Sequence, residues 1–242
     1  MADVNEHYDE VLSNIYSWMC GGFETAIQRN TDFFNAHRLH PRGSGIAIDL
    51  GAGCGFQSIP LARTGYSVTA MDLSAPLLEE LKQNARGLKI KTVQGDMTTF
   101  DRHIDTGVEL MVCMTDTFLH LDSKESVISL FQKSFSALEA GGKLILTFRD
   151  LTHELKNTDR FLPVKNDEDI IFTCFLEYEP ETVKVHDLVY QRIDSQWKLS
   201  KSFYRKLRLS EEWVTRHLSE CGFGTIEATE QNGLVTIIGS KE

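Results

Sequence analysis

The segment Asp49-Leu50-Gly51-Ala52-Gly53-Cys54-Gly55 follows directly on the apolar run Ile46-Ala47-Ile48. A buried strand that runs into alternating glycines ends in bare backbone against which a ligand can press. The helix expected over 56–64 adds its unpaired N–H groups. The plainer reading is a tight strand-to-helix turn. Two acids stand where a nucleotide-like ligand needs them: Asp72 closes the next apolar strand, and Asp96, in Gly95-Asp96-Met97, closes the third. Asp72 also precedes Leu73-Ser74-Ala75-Pro76, so helping to start a helix near Ser74 is its alternative task. Beyond the fourth strand, Asp116 and His120 share a face if that segment turns helical. His120 is then a base or an orienter of substrate, or a helix-start histidine bonded to nearby backbone; Asp116 is equally suited to cap a helix. Arg149, just past the fifth strand, can pair with a substrate carboxylate or with its neighbour Asp150, and Arg205 is a second candidate anion anchor.

A dinucleotide site reads G-x-G-x-x-G. Gly51 and Gly53 fit, but Phe56 holds the third position and the extra glycine comes one residue early, at Gly55. The last glycine of that pattern lets the helix close on the strand, so Phe56 argues against a nicotinamide cofactor. The stretch instead resembles the D-x-G-x-G-x-G signature of class I S-adenosylmethionine (SAM) dependent methyltransferases. The order of glycine loop, Asp72 and Gly-Asp-Met resembles that family too, over residues 45–148, with a family-like ending over 209–241.

The resemblance implies a SAM site. Gly51, Ala52 and Gly53 would lie beside the methionine part, and Asp72, with Leu73 next to it, would accept hydrogen bonds from both ribose hydroxyls. Asp96 would accept from the adenine amino group while the Met97 N–H reads a ring nitrogen. Asp49 would either order the loop or face the ligand's ammonium. Met114 at the end of the fourth strand belongs to the same set. In relatives an N-terminal helix often closes over the cofactor, which makes Tyr16, with Tyr8 and Trp18, candidates to line a lid.

The composition favours a small-molecule enzyme. The chain has 242 residues, 41% of them hydrophobic, and a net charge of −10. That length builds one large core, and the acidic balance argues against a nucleic-acid substrate. No apolar run approaches the roughly twenty residues that span a bilayer. Met1 to Glu6 lacks the basic-then-apolar form of a signal peptide, and the five cysteines lie far apart with no C-x-x-C pair. The expectation is a reducing, cytoplasmic setting without a metal; His37 and His40 have no further ligands near them.

These residues need strands to carry them. The pattern predicts strands over 45–50, 67–72, 89–94, 108–114 and 143–148. Amphipathic helices fall between them, one over 74–85 and one over 123–138 that Gly141-Gly142 should stop. Such alternation means a parallel sheet with helices on both faces, whose ligands bind beyond the strand C-termini. Before it, Gly21-Gly22 breaks an aromatic-rich segment into two helices. After it, three β-like runs (170–177, 182–193 and 196–209) must pair antiparallel. In the last, Trp197, Leu199, Phe203, Leu207 and Leu209 share a face with Lys201 and Arg205, which is what marks Arg205. A helix over 211–221 and a hairpin over 225–240 close the chain.

The expected architecture is a single α/β domain, Rossmann-like by resemblance, with a seven-stranded, mostly parallel sheet. Its parts are an N-terminal helical lid (1–42), a SAM core (43–149), an inserted antiparallel β lid (150–209) and a closing helix and hairpin (210–242). The insertion resembles the glycine and sarcosine N-methyltransferase group, which implies methyl transfer to a small acceptor with nitrogen favoured. Two other readings keep the same pocket: aminopropyl transfer from decarboxylated SAM, which needs acids such as Asp116, Glu177 and Asp187 around a channel, and a non-catalytic SAM-binding regulator. The oligomeric state, monomer or homodimer, stays open.

Overall fold

Short β-rich runs punctuated by glycine and serine caps fold as the alternation predicts. The computed structural model describes residues 11–104 and 107–242. Its first helices are α1 (Tyr16–Met19) and α2 (Phe23–Ala36), separated at Gly21-Gly22. Then come β1 (Ile46–Leu50), α3 (Ser58–Arg63), β2 (Ser67–Asp72), α4 (Ala75–Asn84), β3 (Ile90–Gln94), β4 (Val108–Cys113), α5 (Lys124–Ala137) and β5 (Leu138–Phe148). The insert is β6 (Phe161–Asn166), β7 (Ile170–Tyr178), β8 (Thr182–Ile193) and β9 (Gln196–Leu207). The chain closes with α6 (Glu211–Glu220), β10 (Thr225–Gln231) and β11 (Leu234–Ser240). Ser74, Ser123 and Ser210 cap α4, α5 and α6, each side chain accepting from a backbone N–H of the first turn.

The seven-stranded sheet runs β10-β11-β5-β4-β1-β2-β3, with β1 to β5 parallel and β11 antiparallel to both neighbours. The order reverses between β1 and β4, which opens a crevice beyond their C-terminal ends. Ile48, Leu50, Met111 and Leu146 are buried, with α5 contributing Val127, Leu130 and Phe131 to the same core. Gly141 does not stop α5. The helix ends at Ala137 because Leu138 already takes an extended backbone and pairs with Val108. Gly141, at φ 80°, serves instead the irregularity after which the register resumes at Leu110 and Lys143.

The insert is a separate antiparallel sheet in the order β6-β7-β8-β9. The patterning predicts three strands and misses β6, an edge strand interrupted by Pro163. Asp194 and Ser195, at φ 51° and 63°, make the tight turn between β8 and β9. One expectation fails here. Trp197 and Leu199 are 47% and 43% exposed, while Tyr204 turns inward at 8%. The register pairs Tyr204 with Val185 and Lys206 with Val183, so the even residues of β9 share the buried side of the sheet.

Candidate cofactor and acceptor site

The ends of β1, β2, β3 and β4 meet at one cleft of about 640 Å3, counted to its open mouth. Gly51, Gly53, Asp72, Leu73, Gly95 and Met97 line it with Tyr16; Thr115, Thr117 and His120 form the opposite wall. Asp72 organises the first side. One carboxylate oxygen accepts from the Gly53 N–H and the other from the Ser74 N–H, both at 2.8 Å. It therefore ties the glycine loop to β2 and shapes the turn into α4.

The glycines do different jobs. A Cβ on Gly51, where φ is 75°, would lie 2.1 Å from Thr117 Cγ2, so bareness there admits the β4 wall. At Gly53 a Cβ would lie 3.7 Å from Tyr16 Cε1, across the cleft. The Tyr16 ring stacks on Phe56 at 5.8 Å and 12°, so the residue that breaks the dinucleotide pattern seats α1 over the loop. Asp49 lies beneath, 1% exposed, accepting from Ser58 Oγ at 2.6 Å. Burial pushes its pKa up to about 7; the Ser58 hydrogen bond opposes this and the Asp72 charge adds to it.

The β4 wall is strained and tightly held. Thr115 and Asp116 take φ of 58° and 68°, a left-handed backbone that costs energy outside glycine. Thr147 fixes both, its Oγ1 accepting from the Thr115 N–H at 2.7 Å and its carbonyl from the Asp116 N–H at 2.9 Å. The Asp116 carboxylate, 2% exposed, takes the Arg149 N–H on one oxygen and both the Arg149 guanidinium and Lys206 Nζ on the other, each at 2.7 Å. Burial is the largest single influence and raises its pKa, but Lys206 and Arg149 together outweigh it and hold the acid at about 2. Since Lys206 belongs to β9, this acid fastens the insert to the cleft wall. His120 ends the following turn, its ring 5.0 Å from that of Tyr204.

Residues 47–142 match a family described as a methyltransferase domain. The glycine/sarcosine N-methyltransferase of Halorhodospira halochloris is 32% identical over 130 residues, 53% of this chain and 48% of that protein. Residues 47–142 thus match a methyltransferase domain, and over that part the chain is similar to class I SAM-dependent methyltransferases. It spans about half the length of that relative. A SAM-dependent methyltransferase from Clostridium acetobutylicum superposes with a TM-score of 0.72 at 17% identity, over 89% of this chain and 92% of that one. The sugar N-methyltransferase KedS8 from Streptoalloteichus also gives 0.72, at 13% identity over 96% and 93%. These likenesses carry the fold, a mostly parallel sheet with a separate antiparallel one.

Within this methyltransferase fold the expected residues divide. Gly51, Gly53, Asp72, Leu73, Met97 and Tyr16 stand on the cleft. Ala52 is buried behind it, donating its N–H to the Met71 carbonyl at 3.0 Å. Asp96 is exposed and caps the next turn through the Thr98 N–H at 2.7 Å, while its neighbours Gly95 and Met97 face the cleft. Met114 is misplaced by the sequence reading: its side chain packs in the core with Phe34 and Val112, and its carbonyl accepts from the hydroxyls of Thr115 and Thr117. Those two threonines take its place. Trp18 also turns away, toward Asp167 and Lys165 of the insert, and Tyr8 lies outside the described residues.

Neither expected arginine is set up as a dedicated anion anchor. Arg149 pairs with Asp116, and Asp150 binds Thr152 instead. Arg205 holds Glu179 at 2.8 Å. Lys206 lies on the even face of β9, opposite the row of apolar residues that the sequence pattern marks. The acids of an aminopropyl channel are likewise dispersed. Glu177 pairs with Lys184 and His186, whereas Asp187 is buried on β8 beside Cys174 Sγ at 2.9 Å. Among the described residues no group of three or more His, Cys, Asp or Glu could hold a metal ion.

Proposed function

We propose that the protein transfers the methyl group of SAM to a nitrogen of a small-molecule acceptor. The observation that carries this reading is Asp72 at the end of β2, joined to Gly53 and facing a cleft shared with His120. The lining suits the cofactor: apolar Leu73 and Met97 for a flat base, Asp72 for two adjacent hydroxyls, and glycine backbone where the amino-acid part would pass. SAM supplies a methyl group already activated on sulfonium sulfur. The chain's work is to hold the acceptor in line and exclude water. Tyr16 and α1 cover the loop side, and the insert covers the β4 side through Lys206 and Tyr204. His120, on the wall between them, is the residue we assign to take or hold a proton from an amine acceptor, which reacts only when unprotonated. Asp96 would accept from the adenine amino group with its second oxygen.

Nitrogen is favoured by the names of the two N-methyltransferase relatives. A small molecule rather than nucleic acid is favoured by the net charge of −10. A cytoplasmic setting is favoured by the cysteines, all free; among the described residues no helix is long and apolar enough to cross a membrane. The test is calorimetric titration with S-adenosylhomocysteine against NAD, followed by a screen of small amines and amino acids. Binding of S-adenosylhomocysteine alone supports the reading, and binding of NAD alone overturns it.

A further inference from the structure

Residues 12–19 form a strap that touches both halves of the molecule, and its side chains sort by helical spacing. Leu12 and Ile15 pack on Phe172 and Val189 of the insert, with Trp18 and Met19 beside them. Tyr16 and Ser17 turn the other way, Tyr16 onto Phe56 and Ser17 Oγ donating to Glu80 of α4 at 2.9 Å. The strap joins α2 through Gly21-Gly22, whose φ values are 92° and 100°. Beyond the adjoining residues a Cβ on either would meet nothing closer than 3.9 Å, so glycine serves there for its backbone and not for space. A short segment between two bodies that ends on two such glycines is built as a hinged cover.

The insert's hold on the strap is specific. Asp167, in the turn between β6 and β7, accepts on one oxygen from the N–H groups of Asp169 and Ile170, both at 2.8 Å. Its other oxygen takes the Trp18 indole N–H at 2.5 Å. Lys165 of β6 donates to the Trp18 carbonyl, and its Nζ lies 4.8 Å from the centre of the indole ring. Two residues thus grip one tryptophan at its carbonyl, its ring face and its N–H. The cleft lining includes Tyr16 but not Trp18, Lys165 or Asp167, so the grip lies outside the ligand's reach. We propose that these three are positioning residues, a latch by which the insert keeps Tyr16 over the glycine loop and sets how fast the cofactor exchanges. The inference rests on the cofactor reading above, in which the amino-acid part of SAM passes Gly53. Tyr16 Cε1 stands 3.7 Å from where a Gly53 Cβ would be, so that part would lie beneath the strap. The grip uses no group that a ligand supplies. It therefore holds the strap equally with the cofactor in or out, and acts on rates while leaving affinity almost alone.

Stopped-flow measurement of S-adenosylhomocysteine association and dissociation tests this on the full chain, with thermal melting as the folding control. Lys165→Met keeps the apolar stem over the indole and removes the charge. Asp167→Asn keeps an acceptor for its own turn and presents an amide N–H2 to the indole. Each folded variant should raise both rate constants about tenfold, the factor that loss of one charge-assisted hydrogen bond supplies. The dissociation constant should move by less than about threefold. Lys165→Arg, which keeps a cation on the ring, should restore wild-type exchange. Hydrogen exchange over residues 12–20 should quicken in the first two variants without ligand. Should one of them fail to fold, the other is read the same way. Unchanged rates, or a rise in dissociation alone, overturn the proposal, and so does unchanged hydrogen exchange. A wild type that binds no S-adenosylhomocysteine defeats the cofactor reading instead, and hydrogen exchange then decides whether the insert holds the strap.

Discussion

The cofactor half and the insert tie down their charged groups by different means, with exceptions on each side such as Asp49 with Ser58 and Asp167 with the N–H groups of Asp169 and Ile170. Around the glycine loop, side chains bind nearby backbone: Asp72 holds Gly53 and Ser74, Asp96 holds Thr98, and Ser74 caps α4. In the insert, side chain meets side chain across strands or across the molecule, as in Lys206 with Asp116 and Arg205 with Glu179. Backbone partners come with the fold wherever the chain turns as it does. Side-chain partners depend on a register and on two residues being chosen together, so the insert is the half that can be retuned for a new acceptor without disturbing the cofactor cradle.

The largest effect should come from the acid that joins the halves. Asp116→Ala leaves Lys206 and Arg149 without their partner, and breaking a buried pair costs about 3 kcal/mol or more. For a chain of this size that lowers Tm by about 6–12 °C, whereas Glu179→Ala, at a surface pair, should move it little. Differential scanning calorimetry of the two decides whether the halves differ as claimed. The two buried acids also give opposite pH responses. Asp116 has a lowered pKa, so its stabilisation is present above the ordinary carboxylate range and is lost as pH falls toward about 2. Asp49 has a raised pKa, so the folded state holds the proton more tightly and stability falls as pH rises from about 4 toward about 7. Asp49→Asn should flatten that upper slope in urea titrations run across the range.

Asp72→Ala should weaken S-adenosylhomocysteine binding about 100-fold, since charge-assisted hydrogen bonds contribute about 1.5–3 kcal/mol. Unchanged affinity would remove Asp72 from the cofactor site. The smallest effect compares two glycines of positive φ. Gly51→Ala would meet Thr117, while Gly87→Ala meets nothing within 4 Å; both strain the backbone, so about 1 kcal/mol is expected at Gly87 and about 2 kcal/mol at Gly51. Equal losses would mean that the β4 wall gives way freely.

The same contrast explains what could be read from the chain beforehand. The core strands and the turn at Asp72 were legible because periodicity, glycine and serine caps are local signals. The insert yielded its long strands and its Asp194-Ser195 turn but not the consequence of its register. Tyr204 and Leu207 are both buried although they lie on opposite faces of β9, Tyr204 in the insert's own cluster and Leu207 against the main core, so no period-two rule picks out Lys206 from one side. Met114 was misplaced for a related reason: the left-handed step at Thr115-Asp116 redirects the chain, and nothing in two non-glycine residues announces it. Edge strand β6 was hidden by Pro163.

The position of β11 also has a consequence for how the molecule is made. It lies between β10 and β5, pairing Val235 with Phe148 and Ser240 with Lys143, and it is synthesised after every strand it touches. A nascent chain therefore carries the open edge of β5 through the translation of the whole insert, until the last hairpin emerges and covers it.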